Sequence, residues 1–163
     1  MHLTHPRGLA LALLVFSMSM GILPPATVQA GVPGSTSALN VDEHGVALRG
    51  YDPVAYFSSG KPTPGIETIS ASYGGARYLF ATKAHKKRFV KNPQKYIPQF
   101  GGFCSVGTAN GQKVDTDPMT GEVVNGKLYL NYNAKVSELF KQDTPGIIGR
   151  AERNWPAVKD QTL

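Results

Sequence analysis

Two dipeptides, Gly74-Gly75 and Asn125-Gly126, frame what this chain can become. Each lies between β-favouring segments and supplies the positive backbone angles that a two-residue hairpin turn demands. Residues 67–73 with 76–82, and 122–124 with 127–132, are therefore expected to fold back as two antiparallel hairpins. A helix signal follows each one. Thr82 is placed to cap the segment KAHKKRFVK, and Asn133 to cap a helix bearing Val136, Leu139 and Phe140. In the first helix His85 and Phe89 share a face, while Lys83, Lys87 and Lys91 line the opposite one. Phe89 is expected to point inward, with His85 beside it.

The remaining segments are short. Residues 46–48 read as a brief strand, and in GYDPVAYF the fixed angle of Pro53 and the side chain of Asp52 read as a turn. Asn92 and Pro93 end the first helix. After the pair Gly101-Gly102, residues 103–109 carry small and apolar side chains that suit a short buried helix. Thr144 and Pro145 open a last helix with Ile147, Ile148, Ala151 and Trp155, which Pro156 is expected to end. Together these signals predict a small single α+β domain over residues 41–160, with two short antiparallel hairpins and several short packed helices. No internal repeat is visible in the sequence.

Ahead of that domain, residues 1–30 read as a signal peptide. His5, Pro6 and Arg7 precede the uncharged run LALALLVFSMSMGIL, which is too short for a comfortable membrane span. Val28 and Ala30 then fit a cleavage site after Ala30. The expectation is export to a bacterial periplasm, with no stable membrane span once the signal is removed. Residues 31–40, GVPGSTSALN, read as a flexible leader. The chain has one cysteine, so an internal disulfide is excluded and stability must come from packing. A net charge of +6 selects no partner by itself.

Cys104, in QFGGFCSVG, has two readings. It can be a small buried hydrophobe, or a thiolate favoured by N–H groups at a helix start opened by the two glycines. His85 gains meaning if it meets Cys104, either as a co-ligand for a soft metal or as a base for the thiol. A carboxylate such as Asp52 beside them would orient the imidazole. His44, in the polar stretch DEHG, is expected at the surface. The basic run KAHKKRFVKNPQK reads as a solvated helix face, and no nucleic-acid partner is expected. No serine–histidine–aspartate order, phosphate loop or paired-carboxylate motif stands out.

The segments GYDPVAYF, YLFATKAHKKRFVKNPQKY, PQFGGFC and GKLYLNYN together resemble the YHS domain family in its exported bacterial branch. The resemblance implies a small α+β domain related to modules proposed to bind metal through cysteines, often beside copper transporters or oxygenases. The chain departs from that pattern at Ala55 and Ala81, so a closed zinc or copper cage of several thiolates cannot be built from it. His85 stands where the pattern shows a further cysteine or histidine. The exported branch also resembles YHS domain (seleno)proteins, in which Cys104 matches the position that carries selenocysteine in some members.

The resulting expectation is a metal- or thiol-handling accessory module. Cys104 and His85 are its candidate metal ligands, Asp52 stands behind them, copper or zinc is the candidate ion, and a periplasmic metal or redox protein is the candidate partner. Cys104 is also the candidate catalytic residue, although the reading falls against an enzyme with its own turnover. Two alternatives stand beside it: a non-catalytic protein-interaction domain with a buried structural cysteine, and a thiol-dependent redox enzyme.

Overall fold

A computed structural model describes residues 31–163; the expected signal peptide, residues 1–30, lies outside the described residues. The chain forms a small single α+β domain with two antiparallel two-stranded sheets. The first half contains α1 (Ala55–Ser58), β1 (Ile66–Tyr73), β2 (Ala76–Phe80) and α2 (Lys83–Lys91). The second contains α3 (Ser105–Ala109), β3 (Asp117–Val124), β4 (Lys127–Asn131) and α4 (Ala134–Gln142), and α5 (Thr144–Val158) closes the chain.

Both glycine turns do as expected, pairing Tyr73 with Ala76 and Val124 with Lys127. Thr82 accepts a hydrogen bond from the His85 N–H at 3.1 Å, and Asn133 one from the Val136 N–H at 2.9 Å, so each side chain satisfies an amide that its helix leaves open.

The two halves are copies of one plan. β1 and β3 have eight residues each, β2 and β4 five, and α2 and α4 nine. Tyr78, Leu79 and Phe89 recur at one constant spacing as Tyr129, Leu130 and Phe140, all buried. Ahead of each short first helix run three consecutive residues with positive φ: Leu48, Arg49 and Gly50 in one half, Phe100, Gly101 and Gly102 in the other. Parallel bridges tie Val46 to Arg77 and Pro98 to Leu128 at matching places. The repeat escapes the sequence because most of it is backbone geometry, carried by few shared side chains.

The core follows the duplication. One cluster gathers Tyr78, Phe80, Phe89 and Tyr96, the other Tyr129, Phe140, Ile147 and Ala151. Strand β4 joins them, because alternate residues point to opposite faces: Leu128 and Leu130 enter the first cluster and Tyr129 the second.

Three sequence expectations are corrected. Residues 46–48 form no strand: Val46 and Ala47 make isolated bridges, and the left-handed backbone from Leu48 turns the chain away. Pro156 does not end α5, which runs on to Val158; a proline in the last turn removes few bonds, and Val158 is buried. Residues 31–40 do not trail as a free leader. The Asn40 amide donates to the Gly101 carbonyl at 2.9 Å, and its side chain donates to Gly102, Asp115 and Thr116. The Gly34 N–H donates to the Leu163 carbonyl and the Leu163 N–H to that of Ser35, at 3.1 and 3.0 Å. Any side chain on Gly101 would collide with the Ala38 carbonyl. The glycine at 101 thus lets two backbones meet.

Candidate functional site

Asp52 is fully buried, with its carboxylate held by the backbone. Oδ1 accepts from the Val54 N–H at 2.8 Å, and Oδ2 from the Ala81 N–H at 2.9 Å. Asp52 is thus both the turn former read from the sequence and the partner of His85. Nδ1 of His85 lies 2.6 Å from Oδ2. Because an ionised carboxylate only accepts, Nδ1 carries a hydrogen, and in the neutral ring Nε2 keeps its lone pair. The His85 side chain is 20% exposed, so Nε2 reaches the surface from a ring anchored in the interior.

Nε2 also meets Ser58. Its Oγ lies 3.4 Å away, on the last residue of α1. The line Ser58, His85, Asp52 therefore draws on α1, the turn before it and α2. Sequence reading missed Ser58 because no local spacing links it to His85; only the tertiary placement of the end of α1 brings the two side chains together.

Cys104 lies elsewhere, with an exposure of 1%. It caps α3: its Sγ accepts from the Gly107 N–H at 3.4 Å, and the Val106 and Tyr132 N–H groups also point at it. The thiol approaches Asn131 Oδ1 at 3.9 Å. Burial pushes the thiol up from its ordinary range, while those three backbone donors pull it down; burial wins. The structure thus brings Asp52 to His85 and gives Cys104 a separate set of neighbours.

Asp52 and Cys104 occupy corresponding places. The Asp52 N–H donates to the Thr63 carbonyl and the Cys104 N–H to that of Val114, both at 2.9 Å. The donors to the carboxylate, Val54 and Ala81, correspond to Val106 and Tyr132 around the sulfur. Asn131 stands where the first half has Phe80.

Among the described residues no group of three histidine, cysteine or acidic side chains converges to hold a metal ion, so a closed metal site does not fit. His44 is exposed, beside Glu43. No described helix is long and apolar enough to cross a membrane. Comparison with known proteins finds no matching family model, no matching curated protein and no matching solved structure.

Proposed function

We propose that the chain is an exported YHS-like accessory module that exchanges a copper or zinc ion with a periplasmic partner, with Nε2 of His85 as the contact atom. The observation that supports this is the 2.6 Å contact between the ring and a fully buried carboxylate. Such a carboxylate fixes the tautomer and stops the ring turning, as it does behind many metal-bound imidazoles. One imidazole holds an ion weakly. It serves as a transient ligand during hand-over, with the remaining donors supplied by the partner. The ion is cargo, and Cys104 keeps a structural role as the cap of α3.

Titration of the purified protein with Cu(I) and Zn(II) by calorimetry tests this reading. Weak binding is expected that disappears in His85→Ala and persists in Cys104→Ser. Loss of binding in Cys104→Ser alone would return the metal to the sulfur. No binding by any form would leave a domain that only docks a partner.

A second reading rests on Ser58. A hydroxyl 3.4 Å from an imidazole that is backed by a carboxylate has the order of an activated nucleophile: His85 takes the proton as Ser58 Oγ attacks an acyl carbon. A fluorophosphonate probe in the presence of EDTA is then expected to label wild type and spare both Ser58→Ala and His85→Ala. An unlabelled wild-type protein removes this reading and leaves the metal reading untouched.

A further inference from the structure

The correspondence between Asp52 and Cys104 carries a consequence for the sulfur. In the first half, two backbone N–H groups close on the two oxygens of a buried carboxylate. In the second half the Gly107 N–H donates to a single sulfur atom at 3.4 Å, and the corresponding Val106 and Tyr132 N–H groups face the same sulfur without a hydrogen bond of their own. A sulfur carrying two oxygens is a sulfinate, which matches a carboxylate in charge and in its two oxygens on one atom, though it is pyramidal where the carboxylate is planar. A second group stands beside it: Asn131 is fully buried, its Oδ1 accepts from the thiol at 3.9 Å, and its Nδ2 has no hydrogen-bond partner, so that a half-turn of the carboxamide would present a donor to an oxygen on the sulfur. The first half has a phenylalanine at that position. An unpaired buried amide is costly, and one placed beside a cysteine invites an oxygen.

We propose that Cys104 is a modification site, at which hydrogen peroxide converts the sulfur to a sulfinate whose oxygens are held by Val106, Tyr132 and Asn131 as those of Asp52 are held by Val54 and Ala81. The first peroxide transfers one oxygen to the thiol: an S–O bond forms, the O–O bond breaks, and sulfenic acid and water result. A second peroxide adds the second oxygen with loss of another water, and the sulfinic acid ionises. Sulfur is oxidised and peroxide reduced in both steps. The chain holds no second cysteine to capture the sulfenic acid as an internal disulfide, so the ladder continues. Because the sulfur is buried, oxidation waits on local opening around α3 and is slow; the cradle acts on the persistence of the product. This is a stoichiometric modification independent of the roles of His85 and Ser58.

The test treats the purified full chain with hydrogen peroxide under native conditions and follows intact mass, peptide maps and thermal unfolding. Two oxygens on Cys104 are expected, in a product that keeps its fold and unfolds within a few degrees of the untreated protein. Asn131→Leu should lower the midpoint of the oxidised form more than that of the reduced form. Cys104→Asp, which copies the first half, should fold and unfold at a higher midpoint than Cys104→Asn. The proposal is overturned if Cys104 takes up oxygen only after denaturation, if the oxidised protein loses its fold, or if Cys104→Asp is the less stable of the two variants.

Discussion

The two halves share a backbone plan and differ in what they place at its centre. The first half buries a charge and turns it outward through an imidazole: the carboxylate of Asp52 fixes the ring, and the ring carries the chemistry to the surface. The second half buries a neutral thiol and keeps it, with Asn131 in place of an aromatic ring. A cradle of N–H groups is thus a property of the fold, and the side chain placed in it decides whether the site reaches solvent. The same plan therefore yields an outward imidazole nitrogen in one copy and a guarded sulfur in the other.

If the halves are equivalent in packing, Phe89→Ala and Phe140→Ala should each cost about 3–5 kcal/mol, as removal of a buried aromatic ring does. Urea unfolding would show this, and a cost confined to one of the pair would break the equivalence. At the cradle the halves should diverge. Asp52→Ala leaves the Val54 and Ala81 amides and the His85 ring without their acceptor, and is expected to cost about 3 kcal/mol. Cys104→Ala removes only weak sulfur contacts, so its cost should be nearer 1 kcal/mol.

The thiol also gives the second half its own pH signature. Its pKa is higher folded than unfolded because burial disfavours the thiolate, so its stabilising contribution is complete below the unfolded value. That contribution is lost as pH rises from the unfolded toward the folded value. Wild type should thus weaken more steeply than Cys104→Ala in alkaline buffer, and parallel stability curves would contradict the assignment. The smallest effect belongs to the caps. Thr82→Ala and Asn133→Ala should each cost about 1 kcal/mol, and near-equal shifts in the denaturation midpoint would extend the equivalence to the helix starts.

The fold was readable where its signals are local. A Gly-Gly or Asn-Gly turn and a threonine or asparagine before a helix act over a few residues, which is why both hairpins and both capped helices stand where the sequence places them. The departures need distant partners. Leu48 and Arg49 adopt a left-handed backbone that no local pattern announces, and residues 31–40 look unanchored until Asn40 meets Gly101. The site divides in the same way. His85 and Asp52 stood out as residues capable of meeting, but the contact depends on α2 docking beside the turn that carries Asp52, and Ser58 enters only with α1. The duplication stayed hidden because a left-handed turn is made by Leu-Arg-Gly in one half and by Phe-Gly-Gly in the other.

The pairing of Leu163 with Gly34 and Ser35 makes the described chain almost a ring. Leu163 already touches residues 34 and 35, so a short peptide joining residue 163 to residue 31 would disturb little, and the domain could be opened between the halves near Ile97. Such a permutant would present the sulfur-bearing half first and the imidazole-bearing half second. What the architecture requires is then the contact of the two halves across β4, whichever half comes first along the polypeptide.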